Sequence, residues 1–368
     1  MARAPRILLS GGGTGGHIYP ALAIADAVRA QRPDAEMLFV GAAGKMEMRR
    51  VPKAGYEIVG LPVAGFHRQL DARNLSFPFK LIRSLGKAWR TVRDFSPDVA
   101  VGTGGYASGP ALAAARVAGV PVYVQEQNAY PGATNRLIGR FAEGVFQAYA
   151  EADVYFASAK TYHTGNPLRT SLDPATLPEV SAARHHFGLD PAKPTLLSFG
   201  GSLGARSMNE ATAAMDGFWR KQNDLQLIWQ TGEGYYEKYK TSATAQLPDV
   251  TCVPYLERMD MAYAAADLVA CRAGALSVSE LLLLGKPALL IPSPNVAGDH
   301  QTANAKAVAN AGAAYLIPDT AQVRELTSRL PELLRDAATL QRLSQAALSL
   351  AKPDAARQIA EQILTHVD

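Results

Sequence analysis

Cysteine is scarce in this chain, and so are charge and aromatic residues. Cys252 and Cys271 are the only cysteines among 368 residues and do not form a CxxC pair, so neither a disulfide framework nor a zinc knuckle is supported and a reducing cytoplasm is expected. Charged residues make up 19% and aromatics 8%, against 48% hydrophobic, a balance that excludes a disordered chain. The 31 glycines and 23 prolines follow no collagen-like period. No stretch reaches the roughly 18 uninterrupted apolar residues of a membrane span, and the opening MARAPRILLSGGG breaks at glycines, so neither a signal peptide nor a spanning helix is expected. No D-x-D pair occurs, and no His, Cys and carboxylate cluster has ligand spacing, so no metal site and no cofactor is expected.

At roughly 150 residues per domain, the length suggests two domains. Short apolar runs alternate with helical patterns: RILLS, a helix over about Ile18 to Ala30, MLFVG, DVAVG, a helix over about Gly109 to Val117, and VPVYVQ. The order restarts with TLLSFGG, a helix over about Arg206 to Trp219, LQLIWQTG, VTCVPYL, DLVACRAG, a helix over Leu276 to Leu284, and PALLIPSP. Such alternation implies right-handed βαβ units, and two Rossmann-like α/β halves are the economical reading. Gly165 and the prolines between Tyr162 and Pro178 mark the junction, and a last helix over about Asp354 to Thr365 follows Pro353.

Four glycine-bearing loops fall at the ends of expected strands: GGGTGGH from Gly11, GTGGYASGP from Gly102, GGSLGAR from Gly200, and CRAGALSVSE from Cys271. Backbone amides at a helix start suit a phosphate or diphosphate, whereas a plain tight turn would need glycine just as much. Gly11, Gly13 and Gly16 also satisfy GxGxxG, but the second strand ends in Val40, Gly41 and Ala42 with no acid for a dinucleotide ribose, which demotes NAD or FAD. Two Rossmann halves facing across a cleft would gather the loops around one ligand.

His17, directly after the first loop, could accept a proton from a substrate hydroxyl or simply sit at a helix start. Glu280 could bind a vicinal diol or be a solvated helix residue, and Arg169 could meet a phosphate or base or merely face water.

The segment from Phe77 to Phe95 is amphipathic and carries part of the positive excess of the first hundred residues; the whole chain is only +4. At helical spacing Leu81, Ile82, Leu85, Trp89 and Val92 share one arc, edged by Lys80, Arg83, Lys87, Arg90 and Arg93. Such a stripe fits either an anionic membrane surface or a sheet with the basic face solvated. Nucleic acid is not expected as a partner, because no stacking aromatics interleave with the cations.

Taken together, GGGTGGHIYPALAIA, GTGGYASGP, QEQNAYPGATN, GNPLR, GGSLGAR, CRAGALSVSE and GDHQTANA resemble, in order from Gly11 to about Ala305, the UDP-N-acetylglucosamine transferases of peptidoglycan synthesis, which convert lipid I to lipid II. The resemblance implies the two-domain glycosyltransferase-B fold, with residues 1–163 plus 352–368 binding acceptor and membrane, residues 164–351 binding UDP-N-acetylglucosamine, and the last helix crossing back to the first domain. It implies inverting, metal-independent transfer to the 4-hydroxyl of the muramoyl sugar on lipid I, at the cytoplasmic face of the cell membrane and without a transmembrane anchor. A UDP-sugar epimerase, a different glycolipid transferase and a non-catalytic UDP-N-acetylglucosamine binder share the architecture and stay open as alternatives.

Carried over by position, Ser202 would hold the donor diphosphate, Arg169 the nucleotide, and Leu256 the uracil through its backbone. Ala275, Leu276, Ser277, Val278, Ser279 and Glu280 would hold the ribose and diphosphate. Gln301 and Asn128 would meet the N-acetylglucosamine, approached by Thr14, Gly15 and Gly16, and His17 would be the base. The stripe of Leu81, Ile82, Leu85 and Trp89, with Lys80, Arg83, Lys87 and Arg90, matches the family's membrane patch. One departure is Gln125, where the family commonly has histidine; glutamine cannot titrate, so Gln125 is left outside the catalytic set.

Overall fold

The computed structural model describes residues 3–63 and 77–367. The chain divides into two compact units, Met1–Arg169 with Lys352–Asp368, and Thr170–Ala351.

The first unit runs β1 (Arg6–Gly11), α1 (Gly15–Gln31), β2 (Glu36–Ala42), α2 (Glu47–Lys53), β3 (Glu57–Leu61), α3 (Phe77–Phe95), β4 (Val99–Gly104), α4 (Ser108–Val117), β5 (Val122–Glu126), α5 (Ala133–Gly139), β6 (Gly144–Gln147) and β7 (Thr161–Tyr162). Among the described residues its strands pair in the parallel order β3-β2-β1-β4-β5-β6-β7. Continuous apolar runs such as Ile7, Leu8 and Leu9 are fully buried because helices cover both faces of a parallel sheet. One face packs on α1 and on the C-terminal helix (Ala355–Leu364), whose Ile359, Ala360 and Ile363 are buried in that core. The last helix thus returns to the first unit. Asn166 is also built into this unit, donating from Nδ2 to the Gln127 carbonyl, so residues 164–169 pack on the near side of the expected border rather than beyond it.

The second unit runs α6 (Val180–His186), β8 (Thr195–Phe199), α7 (Arg206–Ala213), α8 (Asp216–Trp219), β9 (Gln226–Gln230), α9 (Glu233–Tyr239), β10 (Val250–Val253), α10 (Met259–Ala265), β11 (Leu268–Cys271), α11 (Ala275–Leu283), β12 (Ala288–Leu290), α12 (His300–Asn310), β13 (Tyr315–Leu316), α13 (Gln322–Leu333) and α14 (Ala337–Ser349). Its strands, among the described residues, follow the parallel order β10-β9-β8-β11-β12-β13. In each sheet the order reverses between the first strand and the fourth, and the carboxyl ends beside that reversal are where open α/β sheets bind ligands. The loops after β1, β4, β8 and β11 all lie there.

Two expected helices differ. The helix placed at Ile18 begins at Gly15, so Gly15, Gly16 and His17 form its first turn, and the single helix over Arg206 to Trp219 is two, α7 and α8. The amphipathic segment is one helix, α3, but its buried line is Ser84, Ala88 and Val92, spaced every four residues, which packs in the core that includes α4. Val92 therefore belongs to the packed face, while Leu81, Ile82, Leu85 and Trp89 are exposed, Ile82 at 67% and Trp89 at 41%. Lys80, Arg83, Lys87 and Arg90 are exposed beside them, and Lys87 donates to the Gly60 carbonyl at 2.8 Å.

Candidate active-site residues

In the first unit the loop after β1 and the start of α1 hold the expected site residues Thr14, Gly15, Gly16 and His17. Thr14 is the extended residue before α1, and its carbonyl accepts from the amides of His17 and Ile18. Gly13 adopts a φ of +85°, a left-handed value that glycine permits at low cost. Its amide does not face an open anion site, because it donates to Glu47 Oε2 at 3.0 Å, while Glu47 Oε1 accepts from the Ala42 amide at 2.9 Å. Glu47 is fully buried, and a Cβ at Gly12 would overlap its carboxylate. The acid missing from the end of β2 in the sequence thus stands five residues later, bonded to backbone and tethering the loop.

The end of β4 closes over His17. Thr103 Oγ1 donates to the His17 carbonyl at 2.6 Å. Gly104, at φ +104°, lies so near the ring that a Cβ would sit 2.9 Å from His17 Cε1 and Nδ1. His17 Nδ1 is 3.0 Å from Gln127 Oε1. Gln127 Nε2 donates to the Thr103 carbonyl at 2.8 Å, the Gln125 carbonyl at 3.0 Å and Gln125 Oε1 at 2.6 Å.

Glu126 is buried and its carboxylate accepts from the Asn128 and Gly132 amides and from the Asn128 and Asn135 side chains. This holds Asn128 and the start of α5 at the carboxyl end of β5. The Arg169 guanidinium lies 4.7 Å from the centre of the Tyr19 ring, two residues beyond His17 on α1. Thr14, Gly15, Gly16, His17, Asn128 and Arg169 are therefore all carried by the first unit, although Arg169 was expected in the second.

In the second unit the loop after β8 is tightly built. Gly201 and Gly204 have φ +84° and +76°, and the Gly204 amide donates to the Gly201 carbonyl at 2.9 Å. A Cβ at Gly204 would collide with the Thr231 carbonyl, so the close approach itself requires glycine. Gln230 Nε2 donates to the Gly201 carbonyl at 3.0 Å, which fixes the turn carrying Ser202 ahead of α7. Leu256 has its side chain buried in the core, leaving backbone as what it can offer a ligand.

The amides of Ala275, Leu276 and Ser277 open α11 and lack intrahelical acceptors, whereas the Val278 amide donates to the Gly274 carbonyl and its side chain is core. Glu280 is not solvated: it is 5% exposed, and Tyr263 OH donates to Oε2 at 2.8 Å. Burial pushes the nearby Cys271 thiol far above its ordinary range, and the Glu280 charge adds to the shift. Ser279 is half-buried on the same helix, and Gln301 Oε1 accepts from the Ser293 amide at 2.8 Å, tying α12 to the loop after β12.

Arg272, which the sequence did not single out, bridges this region. Its Nη1 donates to Asp319 Oδ1 at 2.6 Å and to the Ile291 and Pro292 carbonyls, and its Nη2 to Ser207 Oγ at 2.5 Å. One buried guanidinium thereby ties the loop before α11 to the start of α7.

The glycosyltransferase family 28 N-terminal domain matches residues 7–147 and the family 28 C-terminal domain residues 195–359. The UDP-N-acetylglucosamine--N-acetylmuramyl-(pentapeptide) pyrophosphoryl-undecaprenol N-acetylglucosamine transferase of Porphyromonas gingivalis W83 is 48% identical over 366 residues, 99% of this chain and 96% of the relative. That of Bacteroides thetaiotaomicron is 47% identical over 366 residues, covering 99% and 98%. The crystal structure of Acinetobacter baumannii MurG superimposes with a TM-score of 0.75 at 29% identity, covering 98% and 99% of the two chains. The UDP-N-acetylglucosamine 2-epimerase of Neisseria meningitidis, at 12% identity and a TM-score of 0.70, shares the fold alone. A two-unit α/β chain of the glycosyltransferase-B type, matched end to end by these transferases, belongs to glycosyltransferase family 28 and, within it, to the UDP-N-acetylglucosamine--N-acetylmuramyl-(pentapeptide) pyrophosphoryl-undecaprenol N-acetylglucosamine transferases.

Proposed function

We propose that the chain transfers N-acetylglucosamine from UDP-N-acetylglucosamine to the 4-hydroxyl of the muramoyl sugar of lipid I, giving lipid II, with inversion and without a metal ion. One observation carries the chemical part of this reading: His17 opens α1 at the reversal of the first sheet, its ring covered by Gly104 and bonded to Gln127. As the acceptor oxygen bonds to the anomeric carbon, the bond from that carbon to the β-phosphate oxygen breaks. The hydroxyl proton passes to the imidazole and the electron pair leaves with UDP.

The second unit is the donor side of the proposal. The helix starts of α7 and α11, with Ser202 and the amides of Ala275 to Ser277, face developing negative charge with fixed dipoles. In this reading amides and arginine stabilise the leaving group. Glu280 and Ser279 take the ribose and diphosphate, Leu256 the uracil through its backbone, and Arg169 the nucleotide. Gln301, Asn128, Thr14, Gly15 and Gly16 meet the transferred sugar.

The exposed stripe of α3 is the membrane-seating face in this reading, and its cations favour an anionic surface at the cytoplasmic leaflet. Among the described residues no helix is long and apolar enough to cross a membrane.

The deciding experiment measures UDP release with EDTA present, with and without a short-chain lipid I analogue, and reads the new glycosidic bond by NMR. Release that needs the analogue and yields a β-linked disaccharide supports the whole reading. Conversion of the sugar without the analogue makes the chain an epimerase, and loss of release in EDTA removes the metal-free mechanism.

A further inference from the structure

We propose that Gln127, Gln125 and Asn166 form an amide relay that fixes the tautomer of His17, keeping a proton on Nδ1 and leaving Nε2 as the proton acceptor. The inference deepens the reading of His17 as base and rests on it for its catalytic consequence.

A primary amide has one end that only donates and one that only accepts, so its orientation is decided wherever it meets a group of fixed polarity. Backbone carbonyls supply that polarity at every link. Asn166 Nδ2 donates to the Gln127 carbonyl at 3.1 Å, so its Oδ1 accepts, and Gln125 Nε2 donates to it at 3.0 Å. Gln125 Nε2 also donates to the Glu126 carbonyl at 3.2 Å, which leaves Gln125 Oε1 to accept from Gln127 Nε2. The Thr103 and Gln125 carbonyls around Gln127 Nε2 would each face an oxygen if that amide turned over.

The end of the chain is Gln127 Oε1, an atom that can only accept, 3.0 Å from His17 Nδ1. A neutral imidazole carries one proton, and here the relay demands it on Nδ1. The other tautomer would set two lone pairs against each other, one on the half-buried His17 and one on Gln127, which is 2% exposed. Gly104 makes room for the ring in this position, because the carbon it lacks would meet the ring itself. The three amides and the backbone carbonyls between them do not titrate.

Full-length protein labelled with 15N at histidine reads the tautomer directly above pH 8, with His17 assigned by the signal lost in His17→Asn. The expected result is a protonated Nδ1 and an unprotonated Nε2. Gln127→Met keeps the length of the side chain and removes its amide, and is expected to give a mixture of both tautomers. Its kcat should fall on the order of 10²-fold, the lower end of what a general base contributes, with KM for UDP-N-acetylglucosamine unchanged. A proton on Nε2 in the wild-type protein overturns the proposal whether or not the variant folds, and so does an unaltered tautomer in folded Gln127→Met. A tautomer that changes in Gln127→Met while kcat holds upholds the relay and removes His17 as the base.

Discussion

Adding a single methyl group at Gly104 should damage catalysis more than folding. Gly104 ends β4 at φ +104°, and a Cβ there would lie 2.9 Å from two ring atoms of His17 and 3.5 Å from Asn135 Nδ2. A non-glycine residue at such a φ costs about 1–3 kcal/mol. Carbon contacts settle near 3.5–4.0 Å, so the ring must retreat by about 0.5–1 Å, enough to weaken its bond to Gln127. A misplacement of about 1 Å at a reacting group costs on the order of 10²-fold, or roughly 2.7 kcal/mol of barrier. Gly119→Ala is the control, since Gly119 has φ +81° in the same unit and nothing within 4 Å of its missing carbon. Both variants should lose a few degrees of Tm in thermal melts. Only Gly104→Ala should lose kcat in UDP release with a lipid I analogue, while UDP affinity by calorimetry stays at the wild-type value. Equal turnover in the two variants would refute the argument that Gly104 is glycine for the sake of His17.

Glu47→Ala removes the acceptor of two backbone amides at a fully buried position and should cost roughly 2–4 kcal/mol in urea unfolding, whereas a loss below about 1 kcal/mol would mean the glycine loop holds its own shape. Burial pushes the half-buried Cys252 thiol up to about 11 from its ordinary 9.0, so at pH 8 its thiolate fraction is about 100-fold below that of an unperturbed thiol. Labelling by a maleimide should be slow by that factor and accelerate about tenfold per pH unit until pH 11; fast labelling at pH 8 would show the thiol to be open. On α3, Ile82→Glu with Leu85→Glu changes side chains that are 67% and 39% exposed, so the Tm should hold within a degree or two while sedimentation with phosphatidylglycerol vesicles is lost. Retained sedimentation would move the membrane contact elsewhere, and a collapsed Tm would mean that this face packs.

The sequence was a good guide wherever a feature is local. Strands covered on both faces are largely apolar, so β1, β4, β8 and β11 appear in the sequence as short apolar runs, and glycines after β1 and β8 and at the end of β4 take φ values of +76° to +104°, whereas Gly274 after β11 keeps an ordinary φ of −65°. It was a poor guide where function depends on partners distant in the chain. Nothing around Glu47 says that its carboxylate closes on Gly13, because that contact needs the register of β1 beside β2. Gln125 attracted notice only as a departure from histidine, yet its orientation is set by Asn166, 41 residues away, and passed to Gln127, whose Nε2 also finds the carbonyl of Thr103, 24 residues back. On α3 the hydrophobic pattern identified an apolar arc but not which arc the protein buries. A line of serine, alanine and valine lets the helix come close to its neighbours, so the large side chains are turned outward. A helix that buried its apolar side for stability would do the reverse, and this inversion is the strongest physical reason to look for what the outer face of α3 meets.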